Sequence, residues 1–232
     1  MKTTLISLLL ALSAVTAQAQ TRHIKPAYVF DMPEGDCADF VRLNKVLDTR
    51  ALTEQEQKRM EEFEDNPNFE DLYSGKCSWY CGGEVLNVKA SSCLKPIGKF
   101  DYKGENAHDF DHESVWAEGV KGQGIGEYLI YEFAPNCPRI TSVKILNGHV
   151  KSEKAWRENS RVKKLKVYYM NQPLVILDLE DSRTLQCFEV GTLGRESEKN
   201  WTLKFEILDV YPGSKYQDTV ISELYFDGID VH

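Results

Sequence analysis

The stretch Trp201–Leu208, WTLKFEIL, decides the fold. Trp201, Leu203, Phe205 and Ile207 fall on one side of an extended chain while Thr202, Lys204 and Glu206 fall on the other, the period-two pattern of a strand with one buried face. Working outward, Leu165, Val167 and Tyr169 alternate in the same way against Lys164 and Lys166. Runs of similar character, each bounded by turn residues, predict further strands over Glu84–Ala90, Glu127–Phe133, Ile140–Leu146, Arg161–Met170, Leu174–Leu179, Thr184–Val190 and Val220–Phe226. Antiparallel strands of this number, with no long helices between them, predict an all-β chain folded as a jelly-roll β-sandwich from about Gly82 onward.

Ahead of that region the pattern differs. Residues 20–76 are acidic and loop-like, and a capping box at Thr53 and Glu56 opens a short surface helix in which Met60 and Phe63 form one apolar edge before Asn66-Pro67 ends it. A second helix is predicted over residues 38–47, with Phe40, Leu43 and Leu47 on one side. So thin an apolar stripe is expected to lean on the strands that follow. Residues 1–19 have the layout of a secretory signal peptide: Lys2, the apolar run LISLLLALSAV and the small-residue site Ala17-Gln18-Ala19. The expected division is therefore a signal segment at 1–19, a mainly helical and loop extension at 20–76, and a sandwich at 77–232. An exported product, periplasmic or secreted, is expected, because no later apolar run is long enough to span a bilayer.

The full chain carries 28 Lys and Arg against 36 Asp and Glu, a net charge of −8; removal of Lys2 with the signal leaves −9. An acidic surface of this kind argues against nucleic-acid binding. All six cysteines, Cys37, Cys77, Cys81, Cys93, Cys137 and Cys187, lie in the exported part, and an even count there favours disulfides. Cys137 and Cys187 are expected to pair within the strand-rich region, the other four to staple the front of the chain. Cys77 and Cys81 lack the second pair that a zinc site needs.

The segment Asn106–Glu127, NAHDFDHESVWAEGVKGQGIGE, carries the chemistry. Asp109, Asp111 and Ser114 place carboxylate and hydroxyl oxygens on one tight loop, a donor set suited to Ca²⁺; the alternative is a set of acids facing water. An EF-hand is excluded, because the sixth position is Ser114 and the twelfth Val120. Gly122, Gly124 and Gly126 open a strand rather than a helix, which excludes a dinucleotide fingerprint. His108 and His112 have zinc spacing without a helical pattern around them.

Several ordered motifs together resemble the discoidin group, the coagulation factor V/VIII type C domains, and within it the subgroup of the NAD glycohydrolase translocation domain. They are SS-x-L, NA-x-D-x-D followed by a tryptophan, EGVKGQGIGE, LNGH, N-x-RVKKLKV and DVYPGSKYQDTVISELYF, spread over about Cys77 to Asp230. The resemblance implies a galactose-binding-like sandwich whose loops at one end recognise glycans, with a structural calcium held by the acidic loop and by a glutamate on the last strand. Asp109, Asp111 and Ser114 match the loop positions. Glu223 matches the last-strand position, and a rim salt bridge is the other reading of that residue. No toxin-type catalytic domain fits in the remainder.

The recognition surface is expected in NGHVKSEKAWRENSRVKK, where Lys151, Lys154, Arg157, Arg161, Lys163, Lys164 and Lys166 face two acids. Trp156 would offer a plate to a sugar face, Lys154 and Arg157 charge to an acidic substituent, and Tyr216 the neighbouring rim. The other reading has the lysines on a solvated strand face and Trp156 plugging a loop. The expected function is thus a secreted, non-catalytic glycan-binding module with a structural calcium site and a glycan or glycoconjugate as partner. The alternatives are an envelope protein–protein interaction module or a glycoside-acting enzyme using Asp109 with Asp111 or Glu113.

Overall fold

The computed structural model of the protein describes residues 21–31, 42–43, 45–47, 49–64, 79–194 and 199–229. The signal segment and its cleavage site, Cys37, Phe40 and Cys77 lie outside the described residues. Among the described residues eleven strands are formed: β1 (Arg22–Ile24), β2 (Tyr28–Asp31), β3 (Val85–Ala90), β4 (Trp116–Ala117), β5 (Tyr128–Phe133), β6 (Arg139–Asn147), β7 (Ser160–Tyr169), β8 (Gln172–Asp178), β9 (Thr184–Leu193), β10 (Trp201–Tyr211) and β11 (Thr219–Ile229). All eight strands read from the sequence are present.

The hydrogen-bonded ladder runs β2-β9-β6-β11-β7-β10-β5-β3, with β8 and then β1 on the other side of β7. It turns over at β11. Thr219 and Val220 run parallel to Ser160 and Arg161 of β7, whereas Glu223 to Ile229 run antiparallel to β6. One strand therefore belongs to both layers of a β-sandwich, with β2, β9 and β6 on one side and β8, β7, β10, β5 and β3 on the other.

Alternation fills the space between them. Phe226 of the first layer meets Phe133, Tyr131 and Phe205 of the second at ring-centroid distances of 4.9, 5.1 and 6.3 Å, mostly edge to face. Trp201 stacks on Phe133 at 4.2 Å, and both Trp116 and Trp201 are fully buried, as expected of core residues. Burying each such ring contributes about 1.5–3 kcal/mol. Gly194, at φ +81°, ends β9 where a Cβ would stand 2.5 Å from the Trp201 ring.

The front of the chain departs from its reading. Residues 20–76 are expected to be mainly helical and loop-like, yet β1 pairs with β8 in parallel, His23 opposite Ile176, and β2 pairs with β9, Val29 opposite Gln186. The sandwich therefore recruits strands from ahead of residue 77. Helix α1 (Glu54–Glu64) opens on the expected capping box: the Thr53 amide donates to the Glu56 carboxylate at 3.0 Å, and the Glu56 amide to Thr53 Oγ at 3.3 Å. Residues 42–43 and 45–47 are also helical. Leu43, Met60, Phe63 and Leu52 form a small cluster of their own, separate from the sandwich core, and Leu47 is half-exposed rather than on the apolar side.

The expected Cys137–Cys187 bond is not formed. Cys137 belongs to the inter-sheet core and its thiol faces the Glu84 carbonyl at 3.7 Å; Cys187 sits on the outer face of β9 beside Leu146 and Tyr225. The two side chains point to opposite sides of one layer. Among the described residues no helix is long and apolar enough to cross a membrane.

Candidate functional site

The acidic loop is tied at both ends before its carboxylates are considered. Asn106 Nδ2 donates to the Asp101 carbonyl and carboxylate and to the Val115 carbonyl, each at 3.1 Å. Between those anchors the chain makes two successive turns. Asp109 Oδ1 accepts from the Asp111 amide at 2.9 Å and its Oδ2 from Ser114 Oγ at 2.7 Å, while Asp111 Oδ1 accepts from the Glu113 amide at 3.0 Å. Short polar side chains of this kind turn the backbone on themselves. Phe110, at φ +61°, occupies the left-handed region between the two acids and stacks on Tyr225 at 4.9 Å.

Both loop histidines dock on β11. His108 Nδ1 donates to the Leu224 carbonyl at 2.8 Å and His112 Nε2 meets the Tyr225 hydroxyl at 3.1 Å. Burial holds both imidazoles below their ordinary pKa, His112 at about 4. They are anchors of the loop and not a zinc pair.

Beneath the loop lies Glu223. It has no solvent exposure, and neither carboxylate oxygen has a hydrogen-bond partner. Burial first, and then the negative charges of Asp109 and Asp111, push its carboxyl well above the usual range. The Asp109 carboxylate and the Tyr225 hydroxyl are near enough to act on it, but neither reaches hydrogen-bonding geometry. A buried acid without a partner costs about 1–3 kcal/mol, and far more if ionised, unless a proton or a cation balances it.

The structure thus sets Glu223 under the loop acids Asp109 and Asp111, whose charges act on it, with Ser114 bonded to Asp109, although Glu223 lies more than a hundred positions along the chain from that loop. Among the described residues, no three His, Cys, Asp or Glu side chains form a ready-made metal cluster. Calcium does not require one, because hydroxyl and backbone carbonyl oxygens also serve as its ligands. An orphaned, fully buried carboxylate beside two loop acids fits that ion.

The glycine-rich half of the segment is built over Glu118, a buried residue that sequence reasoning passed by. Its carboxylate accepts from the Val120 amide at 2.9 Å and from the Thr219 amide at 3.1 Å, tying the loop to the start of β11. Gly124, at φ +64°, is required there, since a Cβ would stand 2.4 Å from Glu118 Cγ.

Among the residues expected to contact a ligand, Trp156 is corrected. It lies on α2 (Glu153–Glu158), is 9% exposed, donates from Nε1 to the Asn147 carbonyl at 2.9 Å and has the Arg161 guanidinium 4.3 Å above its ring. Arg161 is itself held by Asp181 at 2.7 and 3.1 Å. The indole is a plug, with no free face for a sugar. Lys154, Arg157 and Tyr216 are exposed, but the first two pair along the helix with Glu158 and Glu153, and the Tyr216 amide bonds the Glu158 carbonyl at 2.8 Å. The structure brings these three together as a ridge of α2 and the turn before β11. Trp79, beside the front cysteines, is also buried.

A groove of about 460 Å³ opens beside the acidic loop. Its walls are the acidic loop, the 97–102 hairpin and the first residues of the 147–152 turn. Phe100 is half-exposed at its mouth, with Lys99 Nζ 5.3 Å and Lys151 Nζ 5.4 Å from the ring centroid. His149 reaches the Glu113 carbonyl at 3.3 Å across the floor. Of these, His149 and Lys151 stood in the stretch read from sequence as the recognition surface. The signal for Phe100 was an aromatic residue in a turn-rich segment, KPIGKFDYKG, without an alternating neighbour to bury it.

Comparisons bear on this arrangement. The family model of the NAD glycohydrolase translocation F5/8 type C domain matches residues 79–227. Among solved structures, the chain is similar to CpGH89CBM32-5 from Clostridium perfringens in complex with GalNAc-β-1,3-galactose, at 13% identity and a TM-score of 0.45, covering 61% of this chain and 94% of that one. CBM32-3 from a family 31 glycoside hydrolase of the same organism gives 16% identity and a TM-score of 0.43 over 64% and 92% of the two chains. A putative chitobiase fragment from Bacteroides thetaiotaomicron gives 14% and 0.44 over 65% and 91%. No curated protein matches the chain significantly. Since the family match spans most of the chain, including both walls of the groove and Glu223, the protein belongs to the NAD glycohydrolase translocation F5/8 type C domain family.

Proposed function

We propose that this protein is an exported carbohydrate-binding module that binds without catalysis, through the groove between the acidic loop and the 97–102 hairpin. The observation that carries the reading is the exposed Phe100 ring at the mouth of a polar groove at the loop end of the sandwich. An aromatic face beside hydrogen-bonding groups suits a sugar, whose C–H face is apolar and whose rim is hydroxylated. Lys154, Arg157 and Tyr216 are proposed as an outer ridge, because α2 begins just after the turn that supplies His149 and Lys151.

Asp109, Asp111, Ser114 and Glu223 would hold Ca²⁺. The ion would supply charge balance for Glu223 and fasten the acidic loop to β11, fixing one groove wall. Binding rather than hydrolysis is supported by how Asp109 and Asp111 are used: both accept from their own loop, neighbours on one wall of the groove and not a pair facing each other across it.

A glycan array probed with the full chain tests the reading. Retention of selected glycans, lost in Phe100→Ala with an unchanged melting curve, supports it. A uniformly blank array contradicts it and favours a protein partner, while release from chromogenic glycosides, abolished in Asp109→Asn, favours an enzyme.

A further inference from the structure

Lys99 and Lys151 line the groove from opposite sides of Phe100 in the sequence, one on the 97–102 hairpin and one on the turn after β6. Lys103, Lys144, Lys163 and Lys204 each stand within 3.0 Å of a carboxylate. Among the described residues, Lys99 and Lys151 have no carboxylate partner; both ammonium groups instead stand over the ring of Phe100, at 5.3 and 5.4 Å. The fold therefore brings two like charges to one aromatic ring, in a protein with a net charge of −8. Like charges held close are unfavourable unless something of opposite sign joins them.

We infer that this Lys99–Phe100–Lys151 cluster is a subsite for a carboxylated sugar residue, a uronic or sialic acid. The inference rests on the carbohydrate-binding reading above and narrows its ligand class. The ring would take the apolar face of the pyranose and the two ammonium groups its carboxylate, as charge-assisted hydrogen bonds. None of the described acids around the groove pairs with either lysine: Asp101 is engaged by Lys103 at 2.6 Å and by Asn106, and Asp109 and Asp111 accept from amides of their own loop. Glu113 lines the groove as an acceptor for sugar hydroxyls. A neutral sugar would satisfy the ring but leave both cations unanswered.

The test is titration calorimetry of the full chain against two matched pairs: an oligogalacturonate with its methyl ester, and sialyllactose with lactose. Expected is at least a tenfold preference for the acid in one pair, which identifies the source, weakening as salt is raised. In Lys99→Gln/Lys151→Gln that preference should vanish while the neutral member binds as before. Equal affinity within both pairs, with binding lost in Phe100→Ala, would overturn the anionic subsite and leave the sugar-binding reading standing. Failure of all four sugars would overturn both. A folded-state check is the proton spectrum of the variant, which should keep the dispersed upfield methyl signals of the wild type.

Discussion

The carboxyl of Glu223 is buried under the acidic loop, where Asp109 is the charge that acts on it most strongly and neither oxygen has a hydrogen bond. Among the described residues no cationic side chain pairs with it. In an otherwise well-satisfied fold, this residue concentrates the chemical tension of the site.

Its pH dependence follows from the direction of the shift. A carboxyl whose folded pKa is raised loses no stability to ionisation below its unfolded value, about 4.5, and progressively more as pH rises from there to the folded value. In chelator, Glu223→Gln is therefore expected to be more stable than wild type at pH 8, by about 1–3 kcal/mol, with the difference closing toward pH 4.5. Urea unfolding at several pH values checks this, and a wild type more stable than the variant at pH 8 would contradict it.

His112 acts in the opposite sense. Burial lowers its folded pKa to about 4, with the Asp111 charge only partly offsetting, so the unfolded chain takes up a proton first as pH falls below 6.5. Stability should drop between pH 6.5 and about 4, by on the order of 2–3 kcal/mol from this residue. His112→Gln, which can still bond the Tyr225 hydroxyl, should flatten that part of the curve.

Trp156 contributes to stability before anything else. Trp156→Ala should cost about 3–5 kcal/mol by cavity formation and by orphaning the Asn147 carbonyl. Trp156→Phe should cost less and leave sugar titrations unchanged. A large loss of binding in a stably folded Trp156→Phe would restore the indole to the recognition surface.

Gly124 and Gly122 separate crowding from backbone preference. Both have positive φ, but only at Gly124 does an added Cβ meet a neighbour, Glu118 at 2.4 Å. Gly122→Ala should cost about 1 kcal/mol and Gly124→Ala clearly more, since displacing Glu118 also strips the Thr219 and Val120 amides of their acceptor. Equal melting losses would argue against the Glu118 latch.

Much of the architecture was legible because alternation is a local signal. Trp201, Leu203, Phe205 and Ile207 declare a strand and its buried face within eight residues. β1 and β2 were missed for the complementary reason: RHI and YVFD are too short to show a period, and only β8 and β9 give them a place. Asp109, Asp111 and Ser114 could be grouped because a tight loop keeps neighbours in sequence close in space. Glu223 could not, since nothing in ISEL says which face of β11 meets that loop; the family resemblance supplied it. Trp156 stood between a sugar plate and a loop plug because composition does not reveal that a six-residue helix lays this indole under Arg161. Phe100 and Lys99 join Lys151 only through tertiary structure.

The most direct test is a pair of thermal scans of the wild type at pH 7.5, one in chelator and one in millimolar CaCl₂, repeated for Glu223→Gln. At a hundredfold excess over its dissociation constant the ion adds about 2.7 kcal/mol, a rise of about 5–10 °C for a domain of this size. Expected is that rise in the wild type and its loss in the variant. Identical wild-type melting curves in chelator and calcium would contradict a bound ion joining the acidic loop to Glu223.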